Sequence, residues 1–175
     1  MLALTRRAAL VAAALGLLTT SSLTTDGRAD SGLADGKADG TLTVNGKTTK
    51  VAFAYARSVP GFFDKNTKDI QVIVSDVPLD AKALADDFLR ASMAKEGKLH
   101  AFEITIDAAG TPVSTAWRHD GFKEPTPSGL SSDDVFTKKV LDGKLVEGSY
   151  KSAADEEFFG NTYAFDVTFR ATIAQ

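Results

Sequence analysis

The chain has 175 residues, of which 43% are hydrophobic and 25% charged, with a net charge of −3 and no cysteine. This length suits one domain with a hydrophobic core, and the mean hydropathy of −0.07 argues against an integral membrane protein. The acidic balance excludes a basic nucleic-acid footprint, and the absence of cysteine excludes disulfides, thiol nucleophiles and thiolate metal sites.

The N-terminal residues have the pattern of an export signal. Arg6 and Arg7 precede a short apolar run and then small polar residues, which is typical of a secretory signal and too short for a stable membrane span. We expect a signal peptide and the start of a flexible tether in 1–29, a disordered linker in 30–40, and a single β-rich domain in 41–175. These features predict a soluble secreted or periplasmic bacterial protein, exported by either the general secretory or the twin-arginine route.

A β-hairpin is predicted around Asn45-Gly46, the pair that favours a type I′ turn. Residues 41–44 form its first strand and 47–58 its long second strand. Alternation along this hairpin puts the large apolar residues on one face: Leu42, Val44, Val51, Phe53 and Tyr55. The opposite face carries small residues, Ala52, Ala54 and Ala56, which leaves room for a packed helix.

A third strand is predicted at 69–77 and a helix at 81–96. Asp80 is a suitable N-cap, and Gly97 can adopt the left-handed conformation that ends a helix. The apolar residues of this helix form one stripe, which includes Leu84, Phe88 and Ala91. We therefore expect one amphipathic helix, packed on the sheet between strands 3 and 4.

The strongest local signal is a second hairpin within 99–119, where two alternating runs flank a turn. Its register places Phe102 opposite Trp117 on a bulky apolar face, so the core is expected around the only tryptophan. The same register places the only two histidines, His100 and His119, opposite each other at the open end.

After a long loop at 120–134, a third hairpin is predicted around Asp142-Gly143, followed by an alternating strand at 162–173. Lys138 and Lys139 interrupt the apolar pattern of this hairpin, so we expect it at an edge of the sheet unless a bulge intervenes. The order of elements predicts a mainly β, α+β fold: an antiparallel sheet, sandwich or barrel-like, of about eight strands with one helix.

The two histidines are a candidate metal site. Cross-strand neighbours have Cβ atoms about 5 Å apart, so the imidazoles of His100 and His119 lie within reach of one zinc or copper ion. A carboxylate from Asp120, Asp76 or Glu124 is the third ligand to consider, and we name Asp120 with the histidines. The alternative is a pair of ordinary half-buried histidines with no cofactor.

Two pairs of adjacent phenylalanines are candidate binding residues. Phe62-Phe63 and Phe158-Phe159 each lie in a loop with glycine and acidic residues. They either cap the open end of the sheet or form an exposed patch that binds a partner protein or a small apolar ligand.

Catalytic motifs are missing from the sequence, which contains no Gly-x-Ser-x-Gly, His-Glu-x-x-His or Ser-x-x-Lys arrangement. Adjacent acids such as Asp133-Asp134 and Glu156-Glu157 are typical of solvated surfaces. We therefore expect an exported, non-enzymatic binding or accessory domain. The alternatives are a metal-binding protein, either a carrier or a small hydrolase, and a structural component of the cell envelope.

Overall fold

Ten strands and two short helices make up the part of the chain that the computed structural model describes, residues 32–123 and 125–175. The predicted signal peptide lies outside these residues. The first five strands are β1 (Lys37–Val44), β2 (Lys47–Lys50), β3 (Phe53–Pro60), β4 (Lys68–Ser75) and β5 (Ala101–Ile106). The others are β6 (Pro112–Arg118), β7 (Val135–Leu141), β8 (Leu145–Lys151), β9 (Glu156–Phe158) and β10 (Asn161–Ala174). The helices, α1 (Ala81–Ala85) and α2 (Asp87–Lys95), lie between β4 and β5.

Eight strands form a curled half-barrel in the order β6-β5-β4-β3-β1-β10-β8-β7. β2 extends β1 and β9 extends β10, while β3 and β10 also meet in a short parallel contact. The prediction of a mainly antiparallel β fold is confirmed.

The hairpin β5–β6 has the predicted register. Phe102 pairs with Trp117, and the register shifts by one residue only after Thr105. Both aromatic side chains are buried, with ring centroids 4.9 Å apart, in the range of favourable aromatic pairs. They form the centre of the core on the concave side of the sheet, together with Tyr150 and Phe165.

The expected position of the helix is wrong because the long second strand is interrupted. Residues 51 and 52 separate β2 from β3, so the helical segment follows the fourth strand and not the third. The interruption also reverses the alternation, since a one-residue shift exchanges the two faces of a strand. Ala54 and Ala56 lie in the main core, whereas Tyr55 packs towards the helices and its hydroxyl accepts a hydrogen bond from the Leu79 amide at 2.8 Å.

Asp86 divides the predicted helix into two. Its backbone is extended (φ −112°, ψ 104°), and its side chain caps α2 by accepting from the Leu89 amide. Asp80 caps α1 in the same way, as expected. Because of the break, α2 buries Arg90 and Ala94, and Phe88, expected on the buried stripe, is 87% exposed.

The sheet begins earlier in the chain than expected, because residues at the start of β1 make close contacts with the rest of the sheet. β1 begins at Lys37, four residues before the domain start expected at 41, because Ala38 is buried and Gly40 approaches β10. A Cβ at Gly40 would lie 1.9 Å from the Asp166 carbonyl oxygen, so only glycine fits there.

The predicted edge position of the third hairpin is confirmed, since β7 is the last strand of the sheet. The register of its pairing with β8 shifts between Lys138 and Val140.

A buried ion pair attaches the helices to the convex side of the sheet. Arg90 is fully buried, and its Nε and Nη2 lie 2.9 and 3.0 Å from the two carboxylate oxygens of Glu103. Gln71 donates to the same carboxylate, and Arg118 pairs with it at 3.0 Å. Glu103 lies on the face of β5 opposite Phe102, and the helices cover it and leave it 3% exposed.

The substitution Glu103→Gln tests this attachment. The amide cannot neutralise the buried Arg90, so we expect the free energy of unfolding to fall by about 3–5 kcal/mol, measured by urea denaturation. The control Glu157→Gln changes an exposed carboxylate and should alter stability by no more than about 0.5 kcal/mol. Equal effects of the two variants would contradict the role assigned to the pair.

Candidate functional site

The two histidines face each other at the end of β5–β6, where the predicted register places them. Their ring centroids are 4.5 Å apart, and His100 and His119 are both buried. Asp120 is the second residue after the end of β6, and Asp76 directly follows β4. The ends of three neighbouring segments therefore meet in one polar cluster.

His100 lies between two carboxylates. Its Nδ1 is 2.6 Å from Asp76 Oδ2 and its Nε2 is 2.9 Å from Asp120 Oδ1, while its backbone amide donates to Asp76 Oδ1 at 2.8 Å. Carboxylates only accept hydrogen bonds, so both contacts form together when both ring nitrogens carry hydrogen. His100 thereby links Asp76, at the end of β4, to Asp120, in the loop after β6.

His119 is held in a neutral form. Its Nδ1 accepts a hydrogen bond from the Gly121 amide at 2.9 Å, and its Nε2 is 3.4 Å from the Thr49 hydroxyl. Burial and, to a smaller extent, the charge of the neighbouring His100 lower the pKa of His119 to about 4. Near neutral pH this imidazole is therefore an uncharged member of the cluster.

Lys47, on β2, supplies the positive charge that faces Asp120. Its ammonium is 2.7 and 2.8 Å from the two carboxylate oxygens. The hydrogen bond from Lys47 is the main reason that the pKa of Asp120 falls to about 2. Asp120 is consequently ionised at any physiological pH.

This cluster has part of the geometry of a metal centre. One ligand atom each from His100, His119 and Asp120 lie within 4.8 Å of one another. Asp76 on His100 Nδ1 resembles the outer carboxylate that orients a metal-binding histidine. However, Lys47 occupies both oxygens of Asp120, and the Gly121 amide occupies Nδ1 of His119. Glu124 lies outside the described residues.

The two phenylalanine pairs do not meet. β3 and β10 run parallel, and Phe62-Phe63 follow the end of β3 whereas Phe158-Phe159 precede the start of β10, so the pairs lie at opposite ends of the sheet. Phe63 and Phe159 are 83% and 77% exposed, and Phe62 is 48% exposed. Only Phe158 is half-buried, and it lines a cavity.

That cavity contains a pair of carboxyl groups that sequence reasoning missed. Asp134, just before β7, and Glu156, the first residue of β9, lie side by side, and burial together with Glu156 raises the pKa of Asp134 to about 6. The Tyr150 hydroxyl is 3.4 Å from Asp134 Oδ2, and the Tyr163 hydroxyl donates to Glu156 Oε2 at 2.7 Å. The side chains of Asp134 and Glu156 are also hydrogen-bonded to each other, which requires a proton on one of the two carboxyl groups.

The sequence contained only an indirect signal for this pair. Each acid belongs to a doublet, Asp133-Asp134 and Glu156-Glu157, and an extended chain turns one member of each doublet away from solvent. Which members meet depends on the approach of β7 to β9, and this approach has no local signature.

We name the space beside these acids the carboxyl cavity. It has a volume of about 190 Å³, and its walls include Thr115, Trp117, Ser128, Phe158, Tyr163 and Phe165 in addition to the two acids. It lies at the seam between the sheet margins β6 and β7, beneath the loop that connects them. This loop pairs with β6 through a bridge between Ala116 and Ser128, and Lys138 reaches across from β7 to the Ala109 carbonyl at 2.8 Å.

Two larger grooves lie elsewhere on the described surface. One, of about 480 Å³, lies beside α1, and the other, of about 460 Å³, lies beside His119 and Asp120. The carboxyl cavity differs from both, because two carboxyl groups contact each other in its wall.

Comparison of the chain with protein-family models, with curated proteins and with solved structures finds no match. Neither helix of the described region has the length and apolar character needed to cross a membrane. The function must therefore be argued from the sites themselves.

Acid should destabilise the fold through His119. The unfolded imidazole, with a pKa of 6.5, takes up a proton before the folded one, with a pKa of about 4. The unfolded state therefore binds more protons in this window, and the free energy of unfolding should fall as the pH is lowered from 6.5 to about 4. His119→Gln should remove this part of the pH dependence, measured by urea denaturation at several pH values with a chelator present. An unchanged pH profile in the variant would contradict the assignment.

Proposed function

We propose that this protein is an exported, non-enzymatic binding domain and that the carboxyl cavity is its binding site. The observation that carries the proposal is the carboxyl cavity itself, in which Asp134 and Glu156 lie against each other among aromatic rings. An enclosed space with an aromatic lining, a few convergent polar groups and a raised carboxyl pKa is typical of a ligand site. The export part of the proposal rests on the sequence of residues 1–29.

The geometry of the carboxyl pair supports binding over hydrolysis. Two carboxyls that act on opposite sides of a glycosidic bond are separated by about 5 Å or more, whereas Asp134 and Glu156 contact each other directly. The neutral His119 is not a free base either, because the Gly121 amide occupies its Nδ1.

The cavity also gives a role to one of the aromatic candidates. Phe158 contributes a half-buried ring to the wall beside Trp117 and Tyr163. A ligand with an apolar part would contact these rings while its polar part meets the acids. The most exposed rings, Phe63 and Phe159, have no such enclosed position.

Obstruction of the cavity tests the proposal. A panel of small amines, alcohols and carboxylates is screened by the fluorescence of Trp117, the only tryptophan, which lies in the cavity wall. Ser128→Tyr places a ring on a residue of that wall and should abolish the response of any compound that binds the wild-type protein.

Ser132→Tyr is the matched control, because Ser132 is exposed and is not part of the wall, and it should retain the response. Binding that survives Ser128→Tyr would place the site elsewhere. Failure of the whole panel would favour a structural role in the cell envelope over a binding function.

A second candidate function is the binding of zinc or copper by His100, His119 and Asp120. The observation in its favour is the contact of Asp76 with His100 Nδ1, which leaves Nε2 directed towards Asp120 and His119. Metal binding requires Lys47 to leave Asp120, so the ammonium and the metal ion compete for one carboxylate.

This competition makes the metal hypothesis testable by titration calorimetry with zinc and with copper. The wild-type protein should bind one ion per chain, and His100→Ala and His119→Ala should each abolish the binding. Lys47→Met should increase the affinity by about tenfold, because removal of the ammonium frees Asp120. Stoichiometric binding that is unaffected by the histidine substitutions, or no binding at all, would exclude this function.

A further inference from the structure

We propose that the ligand of the carboxyl cavity is a small organic cation, either a quaternary ammonium or an alkylammonium compound. This inference rests on the proposed function and specifies the chemistry of its ligand. Three properties of the cavity lead to it: the sign of its charge, the nature of its walls and the contact between its two acids.

The charge of the cavity is of one sign. Asp134 and Glu156 are the only charged residues in its wall, and no lysine or arginine lines it. An anionic ligand would meet two carboxyl groups without a compensating cation, and a neutral ligand would leave their charge uncompensated. A cation is the one class of ligand that compensates this charge in a partly desolvated space.

The walls of the cavity contain four aromatic residues: Trp117, Phe158, Tyr163 and Phe165. Trp117 and Tyr163 meet edge to face with centroids 5.3 Å apart, and Phe165 lies 6.0 Å from Trp117 in a similar arrangement. The faces of aromatic rings attract cations, and Phe158 and Tyr163 are the half-buried rings of this wall. Phe158 completes the cavity wall, and Leu130, which is half exposed, adds apolar surface for an alkyl group.

The contact between the acids implies a shared proton. Two carboxyl groups side by side cannot both be ionised without repulsion, so the pair retains a proton up to a pH of about 6, where burial and Glu156 place the pKa of Asp134. The groups that face the pair are the hydroxyls of Tyr150 and Tyr163. Both are neutral, because burial raises the pKa of each phenol above its usual value.

A bound cation would replace this proton. The ammonium group enters, the shared proton leaves to solvent, and both carboxylates become ionised with the ligand as their counter-charge. Binding should therefore tighten as the pH rises through the pKa of the pair. For one released proton the change is about tenfold between about pH 5 and pH 7.

Choline is the probe for this inference, and its binding is measured by titration calorimetry and by Trp117 fluorescence. We expect the wild-type protein to bind choline and to show no response to the uncharged alcohol in which a tert-butyl group replaces the trimethylammonium group. The two compounds have nearly the same shape, so the difference between them isolates the charge.

The double variant Asp134→Asn/Glu156→Gln should weaken choline binding by about tenfold or more. The matched control, Asp133→Asn/Glu157→Gln, removes the other member of each doublet. Both of its residues are exposed and lie outside the wall, and it should bind choline as the wild-type protein does. If the cavity variant does not fold, two measurements on the wild-type protein still test the inference. They are the comparison of choline with the uncharged alcohol and the pH dependence of the choline affinity.

Three outcomes would overturn the inference: no binding of choline or of any amine of the panel, equal binding of the uncharged alcohol, or equal weakening by the two double variants. If choline fails but a neutral or anionic compound of the panel binds and is blocked by Ser128→Tyr, the cavity remains a binding site and only the cationic class is wrong. If nothing binds in the cavity, the proposed function fails with it.

Discussion

The pairing of Phe102 with Trp117 is the constraint on which the rest of the structure depends. With this pair directed into the core, alternation along β5 places Glu103 on the opposite face, where the helices are attached through Arg90. The same register brings His100 to His119 at the end of the hairpin. A shift of one residue would bury the polar face and expose the aromatic one, so it would disrupt the core, the helix attachment and the histidine cluster at once.

Sequence patterns predicted the elements that are specified locally. The hairpin β5–β6 has strong alternation and a turn between its strands, and its register and buried face follow from these two features alone. The prediction of a single helix failed at one residue, Asp86, because its side chain caps the start of a second helix. The interruption between β2 and β3 has no strong local signal, because residues on both sides favour strands, and it reversed the prediction for Ala54 and Tyr55.

The same distinction explains which site residues were found. His100 and His119 belong to one hairpin, so cross-strand geometry brought them together without knowledge of the fold. Asp134 and Glu156 belong to elements that do not pair with each other. They meet through the pairing of β7 with β8, of β8 with β10 and of β10 with β9, so their contact requires the registers of three strand pairs. The two phenylalanine doublets were recognised as unusual, but the parallel course of β3 and β10 was needed to show that they occupy opposite ends.

The two margins of the sheet, β6 and β7, are not joined by a ladder in the described part of the chain. The connecting loop pairs back onto β6 through the Ala116–Ser128 bridge, and Lys138 of β7 donates to the Ala109 carbonyl. Elsewhere around the half-barrel, neighbouring strands are joined along their length, and separating them would break many hydrogen bonds together. Entry into the carboxyl cavity from this margin would therefore leave the pairing of the sheet intact.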